Sequence, residues 1–127
     1  MFADYYDKNG VSTNEISIVD ASGVSRKDML TAKWAVDVLS LINKDKNYTK
    51  YLPTAGEGTL KTRLSEYKNN LRAKTGSLDG ISGIVGYITT KKGTPIAFCI
   101  FTQNYKHPTR FAKETENAII KEIYENY

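Results

Sequence analysis

Lys74, Thr75, Gly76 and Ser77 place an ammonium group, two hydroxyls and an unhindered backbone position in four consecutive residues, directly ahead of a long apolar stretch. Two interpretations compete. The group could be catalytic apparatus at the edge of a sheet, or it could be the solvated start of an ordinary strand. The tripeptide Lys-Thr-Gly alone decides little, because it occurs by chance in roughly a few per cent of chains this long.

Other reactive side chains are few. His107 is the only histidine and Cys99 the only cysteine, so histidine-based metal clusters and a Ser-His-Asp triad are poorly supported and an intrachain disulfide is excluded. We expect Cys99 to be a small core residue, and we expect no metal or other cofactor. A Ser-x-x-Lys spacing occurs at Ser65 and Lys68, but it falls on a charged segment, and we interpret it as coincidence.

The composition is that of an ordinary globular domain, 40% hydrophobic and 25% charged, and we expect one domain over residues 1–127. No apolar run reaches the roughly 18 to 20 residues of a membrane span, and the first ten residues do not look like a signal peptide. The net charge of +4 favours anionic partners in general. Because the lysines are scattered, without interleaved aromatic residues, we do not expect a nucleic-acid partner.

The first half of the chain reads as helices and loops. A helix is the clearest of these, since Ala32, Val36 and Leu39 recur at helical spacing. We expect Trp34 and the tyrosines to be packing groups rather than a platform for stacking sugars. The expected elements are a frayed helix at 2–6, an extended segment at 15–20, a loop at 20–28, a helix at 31–43, a polar loop at 43–59 and a short helix at 60–69.

From Arg72 the pattern changes to three extended runs, LRAKTGSL, ISGIVGYITT and PIAFCIFTQ. They are separated by Asp79-Gly80 and by KKGT, and two such short connections predict an antiparallel meander. The third run is apolar on both faces, so the sheet must be covered on both sides. The sequence therefore predicts an antiparallel sheet flanked by helices.

A C-terminal helix supplies one of these covers. Thr109 is the expected N-cap, and the stripe that should face the sheet repeats every four residues. The other cover is not obviously complete within the chain. The stripe consists of Phe111, Thr115, Ile119, Ile123 and Tyr127.

Three blocks in close order carry a specific resemblance: DASGVSRKD at 20–28, LPTAGEGTLKTR at 52–63 and RAKTGSLDG at 72–80. Together they resemble the C-terminal part of the class C low-molecular-mass penicillin-binding proteins, the serine D-alanyl-D-alanine carboxypeptidase/endopeptidases. Members of that family carry Asp-Gly-Ser-Gly-Leu-Ser-Arg, Leu-Pro-x-Ala-Gly-x-x-Gly-Thr-Leu-x-x-Arg and Lys-Thr-Gly-Thr/Ser-Leu. The resemblance runs from about residue 15 to 105.

The resemblance implies a fold and a chemistry. The fold is the β-lactamase/transpeptidase-like α/β (α+β) arrangement, of which only the C-terminal part is expected here. The family transfers an acyl group through a serine ester. Its Ser-x-x-Lys motif supplies nucleophile and base, and its Ser-x-Asn motif supplies a hydroxyl for proton transfer. Its Lys-Thr-Gly strand is an edge, because the substrate lies alongside it as an added strand.

Carried over residue by residue, Ser25 matches the serine of the second motif. The strict spacing then places Lys27 where the family has asparagine, with Asp28 following. An amide both donates and accepts hydrogen bonds, whereas lysine only donates and a carboxylate only accepts. Either Lys27 or Asp28 replaces the asparagine. A turn hydroxyl remains the alternative interpretation of Ser25.

In the third motif, the resemblance assigns Lys74 the positive charge and Thr75 the hydroxyl, both directed at the terminal carboxylate of the substrate. Gly76 is the small residue that lets the substrate approach. Ser77 would offer its hydroxyl to the carboxylate and its N–H to the oxyanion hole. In the middle block, Arg63 is expected to be structural, together with Gly58 and Thr59.

The leading hypothesis is therefore part of a serine D-Ala-D-Ala carboxypeptidase that acts on peptidoglycan stem peptides outside the cytoplasm, in the periplasm or cell envelope. The nucleophile is expected to be absent from this chain, which should then be unable to acylate alone and should bind β-lactams only when the missing half is supplied. The alternative is a non-catalytic homologue that binds peptidoglycan peptides. A basic nucleic-acid-binding domain is a third and weaker hypothesis.

Overall fold

The computed structural model describes residues 2–44 and 48–127. In this part of the chain, helices lie before and after one antiparallel sheet, and three short 3₁₀ turns connect the first two helices to it. The expected fold class, an antiparallel sheet flanked by helices, is confirmed. The elements are α1 (Phe2–Lys8), α2 (Ala32–Ile42), 3₁₀ turns at Thr49–Tyr51, Gly58–Leu60 and Ser65–Tyr67, β1 (Leu71–Leu78), β2 (Ile81–Thr89), β3 (Pro95–Gln103) and α3 (Thr109–Asn126).

The three strands form the predicted meander, in the order β1-β2-β3. The turn between β1 and β2 contains Gly80 at φ +70°, a left-handed conformation that glycine adopts without steric cost. Gly76 lies opposite Gly83, and Ser77 lies opposite Ser82. This register fixes which residues of β2 support the Lys-Thr-Gly-Ser segment.

Both faces of the sheet carry a helix, as the apolar third run required. On one face, Ile120 of α3 packs in the core with Ile84, Ile88 and Phe98. On the other face, the hydroxyl of Tyr87 donates a hydrogen bond to a carbonyl of α2 at 2.7 Å. The α2 cover is partial, because Phe101 on that face remains 36% exposed.

The expected helix at 60–69 is wrong. The segment consists of two separate 3₁₀ turns. Between them, Leu64 has φ +57°, a left-handed conformation that an α-helix does not contain. Leu60, Leu64 and Tyr67 are all buried. Their helical spacing suggested a helix, but the chain instead changes direction at Leu64 to bury all three.

The expected stripe of the C-terminal helix is wrong at most of its positions, although Ile123 does pack against the core. Phe111 and Ile119 are 43% and 39% exposed, whereas Ala112, Glu116 and Ile120 are buried. The helix is therefore rotated by about one residue from the predicted orientation. The physical reason is that a charged residue, Glu116, occupies the centre of the buried face, where a pattern of apolar residues could not reveal it.

The remaining predictions near helix ends have mixed outcomes. Thr31 is the N-cap of α2 and accepts a hydrogen bond from the backbone of Trp34, which confirms the helix predicted at 31–43. Thr109 is not the N-cap of α3, since Pro108 occupies that position. The extended segment at 15–20 is reduced to one bridge, between Ser17 and Met29. Part of the loop predicted at 43–59 lies outside the described residues.

Two glycines in paired strands give a matched test of this packing. A Cβ on Gly86 would lie 2.2 Å from the carbonyl oxygen of Arg72, whereas a Cβ on Gly76 would meet nothing within 4 Å. Gly86→Ala should lower the free energy of unfolding by about 2–4 kcal/mol, because the strands must separate locally. Gly76→Ala should change it by less than about 1 kcal/mol. Urea unfolding midpoints compare the two variants, and equal losses would contradict the register.

Candidate active site

The outer edge of β1 is paired only at its beginning. The backbone N–H of Ala73 donates to the carbonyl of Pro53 at 3.0 Å, and the N–H of Ala55 donates to the carbonyl of Leu71 at 3.3 Å. This short pairing ends before Lys74. In the described part of the chain, no strand pairs with the outer edge from 74 to 78.

The pairing at Ala73 also fixes which backbone groups face outward. In an antiparallel strand, successive residues direct their N–H and C=O groups to opposite sides. Since Leu71 and Ala73 bond outward, Thr75 and Ser77 also direct their backbone groups outward, and Lys74 directs its own toward β2. The edge position expected for this strand is confirmed within the described residues, and its open donors are at 75 and 77.

Lys74 carries positive charge to this open edge. Its side chain is exposed, and its ammonium group donates a hydrogen bond to the carbonyl of Thr75, which points outward. No carboxylate pairs with it among residues 2–44 and 48–127. The cation is thus held at the edge and remains available to an anionic group.

Gly76 gives the same edge an open approach. Its register partner Gly83 is buried, and a Cβ there would lie 2.8 Å from the ring of Phe101. Gly76 itself faces open space. Its small size is therefore not required by the packing of this chain, which is compatible with the approach of a ligand.

Ser25 lies in a tight turn. Its hydroxyl accepts a hydrogen bond from the backbone N–H of Lys27 at 3.3 Å. The carboxylate of Asp28 accepts the N–H groups of Val19 at 2.7 Å and Asp20 at 3.3 Å, and so closes the loop at 20–28. The turn role of the Ser25 hydroxyl is observed. Its role in the second motif stays a prediction, as does the replacement of the asparagine by Lys27 or Asp28.

Arg26 connects this loop to the sheet. Its guanidinium donates to the carbonyl of Asp79, in the turn after β1, at 3.3 Å. The structure thus brings the second-motif loop to the end of β1, although no hydrogen bond joins Ser25 to Lys74 in the described residues. Sequence reasoning missed Arg26, although it is the arginine that closes the Asp-Gly-Ser-Gly-Leu-Ser-Arg pattern.

A buried ion pair links the segment before the sheet to α3 and, through Ser82, to β2. Arg63 donates to the carboxylate of Glu116 at 2.8 Å, and to the side chain of Asn117 at 2.8 and 3.1 Å. The other carboxylate oxygen of Glu116 accepts the hydroxyl of Ser82 at 2.6 Å. Ser82 is the register partner of Ser77. The structural role expected for Arg63 is confirmed.

The other reactive side chains form no second site. Burial raises the pKa of Cys99 to about 11, so the thiol stays protonated and unreactive near neutral pH. Ser65 and Lys68 are exposed, on and beside a single 3₁₀ turn. Within residues 2–44 and 48–127, no cluster of histidine, cysteine or acidic side chains suits a metal ion, and no helix is long and apolar enough to cross a membrane.

Comparison with known proteins identifies the family of this chain. Residues 3–125 match the model of the D-Ala-D-Ala carboxypeptidase 3 (S13) family. The chain belongs to this family.

Two curated relatives are named as D-alanyl-D-alanine carboxypeptidases. The D-alanyl-D-alanine carboxypeptidase DacB of Haemophilus influenzae is 33% identical over 106 residues, which cover 77% of this chain and 22% of the relative. The D-alanyl-D-alanine carboxypeptidase of Actinomadura sp. strain R39 is 31% identical over 121 residues, covering 87% of this chain and 22% of the relative. The chain thus spans about a fifth of the length of these relatives.

Solved structures also match nearly all of this chain and only part of the other protein. Penicillin binding protein 4 from H. influenzae superposes with a TM-score of 0.85 at 28% identity, over 96% of this chain and 30% of that one. The same protein complexed with a β-lactam gives 0.86, over 97% and 32%. A predatory endopeptidase of Bdellovibrio bacteriovorus, at 18% identity and a TM-score of 0.76, shares the fold. This chain corresponds to about a third of each of these structures.

Removal of Arg63 should destabilise the chain strongly. Arg63→Ala leaves the carboxylate of Glu116 buried without its cation, and we expect the free energy of unfolding to fall by about 3–5 kcal/mol. Lys61→Ala is the matched control, because Lys61 is an exposed cation in the same segment and should cost less than about 0.5 kcal/mol. Chemical denaturation measures both, and a loss below 1 kcal/mol for Arg63→Ala would contradict the role of the pair.

Proposed function

We propose that this chain supplies the second-motif and Lys-Thr-Gly parts of a serine D-Ala-D-Ala carboxypeptidase that acts on peptidoglycan peptides. The observation that carries the proposal is the open edge of β1 from 74 to 78. Charge, hydroxyls and outward backbone donors coincide there, at the motif that the family resemblance assigns to substrate. Membership of the family and its named carboxypeptidases support the reaction class.

The geometry suggests how the substrate is held. A stem peptide lies along the edge as an added strand and pairs with the outward groups of Thr75 and Ser77. The carbonyl under attack accepts the N–H of Ser77, a fixed donor that favours the negative charge of the tetrahedral intermediate. Lys74 and the hydroxyls beside it bind the terminal carboxylate.

The remaining catalytic groups are assigned as follows. The hydroxyl of Ser25 passes a proton to the leaving amine, as the second motif does in the family. The nucleophilic serine and its lysine belong to a Ser-x-x-Lys motif outside these 127 residues. Such a site acts outside the cytoplasm, where peptidoglycan lies, and takes β-lactams once it is complete. A neighbouring structure of the family holds a β-lactam.

A second candidate is a non-catalytic homologue that binds peptidoglycan peptides along the same edge. The observation that favours it is the second motif, where the carboxylate of Asp28 is used to close the loop and Lys27 only donates. The coding sequence upstream of codon 1 separates the two. An in-frame Ser-x-x-Lys supports the carboxypeptidase, and an authentic start codon supports the binding protein.

Labelled penicillin tests the assignment of the nucleophile. The chain alone, incubated with a fluorescent penicillin and separated under denaturing conditions, should carry no covalent label. Ser65 and Lys68 are exposed, on and beside a single 3₁₀ turn, and Ser25 has Asp28 rather than a lysine three residues later. Intact penicillin binding protein 4 of H. influenzae is the positive control. A stable adduct on this chain would show that it contains a nucleophile and would contradict the proposal.

A further inference from the structure

The second-motif loop holds its own shape without the sheet. At its base, the backbones of Ser17 and Met29 exchange two hydrogen bonds, of 2.8 and 2.7 Å. Within the loop, the carboxylate of Asp28 accepts the backbone N–H groups of Val19 and Asp20. Because these backbone groups are satisfied locally, the internal shape of the loop does not depend on a contact with the strands.

One hydrogen bond joins this loop to the sheet within residues 2–44 and 48–127. The guanidinium of Arg26 donates to the carbonyl oxygen of Asp79 at 3.3 Å, across 53 positions of sequence. The side chain of Arg26 is exposed, and no carboxylate pairs with it in the described part of the chain. A single exposed hydrogen bond adds little to the stability of a fold. It is enough, however, to select one placement of a loop that already has its shape.

The acceptor of this bond has a fixed position. Asp79 and Gly80 form the turn between β1 and β2. The carbonyl oxygen of Gly80 accepts the backbone N–H of Asn104, just after the end of β3, at 2.9 Å. The turn is thus held by the ends of all three strands. A side chain that donates to Asp79 is therefore placed relative to the whole sheet.

The same bond lies between the two motifs of the proposed site. Arg26 directly follows Ser25, and Asp79 lies two residues after Ser77. The reach of the Arg26 side chain therefore sets how far Ser25 stands from the open edge of β1. Arginine suits this task, because its planar guanidinium presents several donors in a fixed geometry. The side chain of the neighbouring Lys27 makes no hydrogen bond or ion pair in the described residues.

We propose that Arg26 is a positioning residue, whose hydrogen bond to Asp79 sets the place of Ser25 relative to the open edge of β1. The inference rests on the proposed function, which gives the Ser25 hydroxyl its role in proton transfer. Arg26 itself touches neither the substrate nor the reacting atoms. Without its side chain, the loop keeps its shape but takes a wider range of positions. The Ser25 hydroxyl then no longer lies at a fixed distance from a peptide bound along the edge.

Paramagnetic broadening in the ¹⁵N-labelled chain measures this placement. A nitroxide is attached to the loop through Ala21→Cys, an exposed position, in a Cys99→Ala background. A dispersed amide spectrum first shows that each variant is folded. With Arg26 present, the nitroxide should broaden the amide signals of residues 77–80. Arg26→Ala should reduce this broadening about twofold, and Arg26→Lys should restore part of it, since an ammonium group can also donate to the carbonyl.

Lys27→Ala is the matched control, because Lys27 is an exposed cation next to Arg26. It should leave the broadening unchanged. Urea unfolding separates positioning from stabilisation, and the midpoints of Arg26→Ala and Lys27→Ala should agree within error. Three results would overturn the proposal. These are unchanged broadening in Arg26→Ala, an equal loss of broadening in Lys27→Ala, and a fall in the urea midpoint that is confined to Arg26→Ala.

Failure here is distinguishable from failure of the proposed function. The broadening depends only on where the loop lies and needs no acylation. A covalent penicillin adduct on the chain alone would contradict the proposed function and leave the broadening as it is.

Discussion

The buried ion pair between Arg63 and Glu116 holds β2, the strand that pairs with β1, to α3 and to the segment before the sheet. It joins three parts of the chain, since Arg63 lies before the sheet, Glu116 lies on α3, and Glu116 also accepts the hydroxyl of Ser82 in β2. A carboxylate that is fully buried tolerates little separation from its cation, because an unpaired charge in the core is far more costly than a lost surface contact. β2, whose Ser82 is the register partner of Ser77, is therefore held in place by this ion pair as well as by apolar packing.

In the described part of the chain, the outer edge of β1 is open over a short length, from residue 74 to residue 78. Open edges invite pairing with other chains, and proteins usually keep them short or place lysine on them. Here the pairing of Ala73 with Pro53 closes the edge up to Lys74, and the turn at Gly80 ends it. About five residues of the outer edge therefore remain unpaired within the described part of the chain.

The sequence predicted the elements whose signals are local. The meander, the helix capped by Thr31 and the position of Lys74 within the first strand all follow from neighbouring residues. The errors lie where a distant partner decides. Glu116 lies outside the predicted apolar stripe, and its partner Arg63 is 53 residues away in the sequence. Leu64 takes a left-handed conformation that its residue type does not signal.

Amide hydrogen exchange along β1 tests the central claim, that an open edge with outward donors at 75 and 77 carries the function. Ala73 donates to Pro53 and should exchange slowly, as should Lys74 and Gly76, which pair with β2. Thr75 and Ser77 should exchange markedly faster than both of their neighbours. Uniform protection from 73 to 77 would show that the edge is covered in the folded chain and would contradict the account.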